Sequence, residues 1–182
     1  PSLQALLAYT GIVFKNIAPQ NFTPEDFTYA QEHLRITSFC YGLLRPMDTI
    51  KPYRLEGNVT IPELGAENMF DFWQKRLTRP FIQEIIKNGG ILFNLASHEM
   101  KSLFDWKLVE NKTRIITPEF KIMKRGKPTT VVIYTKMARG AMTRYIIKNR
   151  IENPEEIKSF EWEGFHFYKE DTKSGIYTFI QE

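Results

Sequence analysis

Between Tyr134 and Arg150 the chain carries five basic side chains, Lys136, Arg139, Arg144, Lys148 and Arg150, and no acid. At about 100° per residue, Ala138, Ala141, Met142, Tyr145 and Ile146 share one face of a helix. Arg144 and Lys148, one turn apart, flank that face on one side; Arg139 and Arg150 flank it on the other. Such a helix has to dock by its apolar side, and its cations are expected to face solvent. The whole chain holds 25 Lys plus Arg against 21 Asp plus Glu, so without these five residues the remainder is slightly acidic. The basic character is concentrated in one helix, which any fold must supply with a docking surface.

The 182 residues, 42% of them apolar, suit one domain, 1–182, with a sizeable core. A formal charge of +4 permits a polyanionic partner, yet a chain that coats nucleic acid over its whole surface is usually more basic. Cys40 is the only cysteine, which rules out an intrachain disulfide and fits a reducing compartment. Cys40 lies in an apolar run and is expected to be a small buried hydrophobe. His33, His98 and His166 are scattered, and no CxxC or HExxH occurs, so neither a metal site nor a cofactor is expected. The apolar runs fall short of the roughly 18 residues of a membrane span, so no membrane partner is expected either.

Along the chain, Ser2 to Tyr9 reads as a short helix ended by Thr10-Gly11, with glycine at the C-cap. A helix, a glycine turn and further structure also resemble the phosphate-binding part of a helix-hairpin-helix, although one glycine is a weak signal. Thr23-Pro24-Glu25-Asp26 starts a helix that runs to about Ile36. Ser38 to Leu44 reads as a strand, followed by a loop, 45–56, with Arg45, Lys51 and Arg54 among Asp48 and Glu56. Glu67 to Lys87 reads as a helix that Pro80 should kink or split, ended by Asn88-Gly89-Gly90. Ile91 to Leu95 reads as a buried strand, and with the strand at 38–44 and the intervening helix it suggests a parallel βαβ unit.

Phe120 to Met123, the turn Lys124-Arg125-Gly126-Lys127-Pro128, and Thr129 to Tyr134 read as a β-hairpin feeding the basic helix. Asn153-Pro154-Glu155-Glu156 caps a short helix, and Gly164 to Tyr168 with Ile176 to Ile180 forms a closing hairpin. The class is α/β (mixed α+β): a single domain with a mixed sheet flanked by helices and a C-terminal β-hairpin.

Three polar segments follow the apolar strands: Arg45, Asn94 to Glu99, and Lys136 to Arg139. If those strands run parallel, the segments meet at one sheet edge, where open α/β sheets hold ligands. That edge would bring together Arg45, Lys136 and Arg139 as cations, Asn94 and Ser97 as hydrogen-bonding groups, and Glu99 as a possible acid or base. A plainer role for Glu99 is a charge at a helix N-terminus. No Walker A, GxGxxG or GxSxG motif is present, and adjacent Ser97-His98-Glu99 does not make a triad, whose members converge from separate segments.

Five blocks, taken in order, resemble one family. They are Phe22-Thr23-Pro24-Glu25-Asp26-Phe27; Tyr41-Gly42-Leu43-Leu44-Arg45-Pro46-Met47-Asp48; Lys51-Pro52-Tyr53-Arg54-Leu55-Glu56; Asn94-Leu95-Ala96-Ser97-His98-Glu99; and Lys136-Met137-Ala138-Arg139-Gly140-Ala141-Met142-Thr143-Arg144. Together they resemble the YaaA-type peroxide stress proteins of bacteria over nearly the entire chain. The resemblance implies an α/β fold and a cytoplasmic protein of the hydrogen peroxide response. The family's opening strand and its Ser-Pro-Ala-Lys segment would precede Pro1, so an N-terminally incomplete domain is expected. Ile12 stands where the family often has an acid after glycine, and Met100 where it usually has an aromatic residue.

With no cysteine pair and no ligand cluster, direct peroxide reduction is disfavoured and protection is expected to be indirect. The leading expectation is binding of double-stranded DNA or another polyanion through Arg45, Arg54, Asn94, Ser97, Lys136, Arg139, Arg144 and Lys148. One alternative is an enzyme acting on a small anionic or phosphorylated substrate, with Glu99 as acid or base. The other is an interaction module for an acidic protein partner.

Overall fold

The computed structural model describes residues 1–65 and 68–182. In chain order its elements are β1 (Leu3–Gln4), α1 (Ala5–Ala8), α2 (Ile12–Ile17), α3 (Pro24–His33), β2 (Ile36–Ser38), β3 (Gly42–Leu44), β4 (Thr49–Ile50), α4 (Met69–Lys87), β5 (Ile91–Phe93), α5 (Trp106–Lys112), β6 (Arg114–Lys124), β7 (Lys127–Thr129), α6 (Val132–Lys148), β8 (His166–Asp171) and β9 (Ile176–Gln181). The expected start of the long helix at Glu67 lies outside the described residues. The class is mixed α/β: a mixed sheet flanked by helices and closed by a C-terminal hairpin. The chain divides into two compact units, one of Pro1–Ala8, Gln31–Leu92 and Ala96–Arg114, the other of Tyr9–Ala30, Phe93–Leu95 and Ile115–Glu182.

In the first unit β1 pairs antiparallel with β4, and β2 with β3. The run 38–44 is thus a tight hairpin and its turn rather than one strand. Ser38 Oγ accepts the Cys40 and Tyr41 amides at 3.2 and 3.0 Å, closing the turn. Cys40 is consequently exposed at the tip, correcting the expectation that it is buried. β3 and β5 belong to separate sheets, so the parallel βαβ unit does not form; the apolar run pairs with itself instead. Asn68 caps α4 by accepting the Asp71 amide at 3.0 Å, and Phe81, Ile82 and Ile85 are buried. Pro80 does not split this helix, which continues to Lys87 and ends at the expected Asn88. The first residues also differ from expectation: Leu3–Gln4 is strand, only Ala5–Ala8 is helical, and Gly11 caps the start of α2 with φ −64° instead of ending a helix.

In the second unit β9 lies parallel to β6 and antiparallel to β8, while β7 folds back antiparallel on β6. Within this unit the strand order is β6-β9-β8. Phe120, Phe160, Phe165 and Phe179 are buried together, Phe120 and Phe179 stacking at 5.5 Å between centroids. Thr129 to Tyr134, expected as a strand, is strand only through Thr129; α6 begins at Val132. The 17-residue helix buries Ala138, Ala141, Met142, Ile146 and Ile147. Thr23 and Asp26 exchange bonds at the start of α3: the Asp26 amide donates to Thr23 Oγ1 at 3.1 Å and the Thr23 amide to Asp26 Oδ2 at 2.9 Å. Helix α3 ends at His33, short of the expected Ile36, which opens β2.

Six residues are too few for an independent helix in water. The position of α2 depends on α6, and the contact is made at Gly140. A Cβ at Gly140 would lie 2.7 Å from Asn16 Cβ and closer still to the Val13 carbonyl oxygen. Only hydrogen at this position allows the two helices to approach so far.

Candidate anion-binding site

The cations of α6 and of the turn after it, which holds Arg150, divide into two groups. Arg144 Nη1 donates to the carbonyls of Ile17 and Ala18, both at 3.0 Å, at the end of α2. That places a guanidinium on the negative end of a helix, and Arg144 also sits over the Phe22 ring at 5.7 Å. Lys148 Nζ lies 2.5 Å from Asp26 Oδ2 and donates to the Asn21 carbonyl at 3.3 Å. Arg150 Nη2 lies 2.8 Å from Asp26 Oδ1, with its guanidinium over the Tyr29 ring at 4.9 Å. Asp26 is only 5% exposed, and its bond from Lys148 holds the carboxyl well below the usual carboxylate range against the opposing pull of burial. These three cations are therefore committed to joining α6 to α2 and α3. The expectation that they project into solvent is corrected, because carbonyls and a carboxylate from distant parts of the sequence reach them first.

Lys136 and Arg139 form the second group. Lys136 is exposed and has no hydrogen bond or ion pair among the described residues. Arg139 is half-buried, and its guanidinium also lacks one. Burial draws the Arg139 pKa below the usual arginine value; Glu119 pulls the other way without coming within salt-bridge distance. An arginine stays charged at neutral pH, so its head group has lost water and gained no bonded counter-ion. The Thr135 hydroxyl donates to the Phe120 carbonyl at 3.4 Å, which sets the start of α6 beside β6. Lys121 donates to Thr130 at 2.6 Å and lies 3.8 Å from Glu119. The first turn of α6 holds no acid, and Val131 supplies no side-chain cap, so the positive helix end is uncompensated.

Asn94 belongs to this unit as well. It is buried, and its amide donates to the Ile116 carbonyl at 2.8 Å. Arg45, Arg54, Ser97 and Glu99 belong to the first unit. Arg45 is 3.4 Å from Glu84, which also pairs with Arg35 at 2.8 Å, and Arg54 is exposed. Ser97 caps the 3-10 helix His98–Leu103 without a side-chain bond, and Glu99 stands exposed in its first turn, the plainer of its two expected placements. The premise of three parallel strands ending at one edge does not hold, since β3 lies in another sheet and β7 is antiparallel to β6. Among the described residues no group of three His, Cys, Asp or Glu could hold a metal ion, and no helix is long and apolar enough to cross a membrane.

The sequence profile described as "Peroxide stress protein YaaA" matches residues 1–171. A UPF0246 protein of Bacteroides thetaiotaomicron is 64% identical over 167 residues, covering 92% of this chain and 65% of that protein. One of Phocaeicola vulgatus is 66% identical over 166 residues, covering 91% and 65%, and one of Porphyromonas gingivalis is 48% identical over 183 residues, covering 100% and 72%. The chain belongs to the YaaA peroxide stress protein family. It spans 65% of the length of the first two relatives, slightly less than two thirds.

Proposed function

We propose that this protein serves the response to hydrogen peroxide in the cytoplasm by binding double-stranded DNA through its phosphates and so protecting it indirectly. The observation that carries this reading is Arg139, a half-buried guanidinium with neither a hydrogen bond nor an ion pair among the described residues. A cation in that state favours an anion that supplies what it lacks, and Lys136 three residues earlier adds a second, mobile charge. The family description supports the peroxide context. Phosphate contacts make binding salt-dependent and nearly indifferent to sequence.

The test is binding of a labelled duplex against salt for the wild type and for Lys136→Ala with Arg139→Ala. The double variant is expected to bind about tenfold or more weakly at 0.1 M salt, and to lose about 1.8 from the slope of log K against log salt. An unchanged slope removes these two residues from DNA binding. The half-burial of Arg139 also suits a compact anion, as in an enzyme for a phosphorylated substrate. Displacement of the duplex by about 1 mM inorganic phosphate, far below what counter-ion screening needs, would favour that second reading.

A further inference from the structure

The β6–β7 hairpin tip breaks two local rules in the same direction. Its two-residue turn has φ +51° at Arg125 and +73° at Gly126, the type I′ geometry that favours Asn or Asp before Gly. Arg125 occupies the first position all the same. Lys124 and Lys127 are direct cross-strand partners, a like-charge pair that weakens a hairpin. Lys124, Arg125 and Lys127 are all exposed, and none of their side chains has an ion pair or hydrogen bond among the described residues. The space around the turn is open: a Cβ on Gly126 would meet nothing within 4 Å. Among the described residues no side-chain hydrogen bond or ion pair compensates for either departure, and such conflicts between local preference and structure concentrate at functional sites.

We propose that this tip is a second phosphate grip, with Lys124, Arg125 and Lys127 holding the backbone of duplex DNA. The proposal rests on the DNA-binding reading given above and adds an element to it. Register pairing sets the Cβ atoms of Lys124 and Lys127 about 5 Å apart, so two flexible ammonium groups reach neighbouring phosphates of a strand that rises about 3.4 Å per nucleotide. Arg125 stands in the turn that joins them, and its fork suits paired phosphate oxygens. A membrane-inserting tip would carry apolar residues here, and the tip has none between Lys124 and Lys127.

The experiment uses the full chain and a labelled 20-base-pair duplex, comparing the wild type, Arg125→Asn, and a triple variant of Lys124→Thr, Arg125→Asn and Lys127→Thr. Arg125→Asn restores the preferred turn residue, so its melting temperature should hold or rise while duplex affinity falls about threefold or more. A loss of binding with gained stability cannot be attributed to misfolding. The triple variant should lose about 2.7 from the salt slope. If the wild type binds duplex and the triple variant binds with the same affinity and slope, the hairpin proposal fails while the Arg139 reading stands. If the wild type binds no duplex, or binds heparin alone, both fail.

Discussion

Replacing Gly140 by alanine is expected to lower the melting temperature by about 5–10 °C, a loss of about 2–3 kcal/mol for a protein of this size. In an exposed helix the same change would stabilise by about 1 kcal/mol. The sign reverses here because the new methyl group meets the Val13 carbonyl and Asn16 Cβ, and one of its obstacles is backbone that cannot rotate away. Relief requires α2 to move off α6, which also withdraws the Ile17 and Ala18 carbonyls from Arg144. A thermal melt followed by circular dichroism reads the result. A melting temperature unchanged or raised would mean that the two helices are not in close contact at Gly140.

The second large effect concerns Asp26. Changing it to asparagine leaves Lys148 and Arg150 facing each other without the carboxylate that both bind. A fully buried pair broken on one side loses about 3–5 kcal/mol. Because Lys148 and Arg150 are 30% and 37% exposed, water replaces part of the interaction, and a loss of about 2–3 kcal/mol is expected. The pH dependence has a definite sign. The carboxyl's folded pKa lies below its unfolded value of about 3.9, so its contribution is complete above that value and is lost as pH falls through it toward the folded value. Denaturant melts between pH 7 and pH 2 should show wild-type stability falling below about pH 4, with a shallower fall in Asp26→Asn. Parallel curves for the two proteins would exclude Asp26 as a contributor to acid sensitivity.

The apolar face of α6 was legible from the spacing of Ala138, Ala141, Met142 and Ile146, all of them buried. The caps at Thr23 and Asn153 were legible too, since each works within three residues of itself. The roles of the flanking cations were not. The carbonyls that receive Arg144 lie 127 and 126 residues away, and Asp26 lies 122 residues from Lys148. Local periodicity separates a docked face from an exposed one, but it cannot show that a charge on the boundary has found a distant partner. The β-branched run before Thr135 misled in the opposite direction: Val132 and Ile133 favour strand, yet they form the exposed first turn of a helix set by the packing of the residues after them. In 38–44 the run of apolar residues concealed a turn closed by Ser38, a side-chain bond that composition does not reveal. The one readable clue to the close approach of α2 was Gly140 itself, an isolated glycine inside a strong helical pattern.

On the proposed reading, α6 and the turn after it keep Arg144, Lys148 and Arg150 for the fold and leave Arg139 for an anion. Arg139→Met and Arg144→Met, each measured for melting temperature and for duplex affinity at fixed salt, separate the two roles. For Arg139→Met, an apolar side chain replaces a desolvated, unbonded cation, so the melting temperature should stay level or rise while affinity falls about tenfold; Arg144→Met should melt several degrees lower. A destabilised Arg139→Met that binds duplex as tightly as the wild type would contradict the claim.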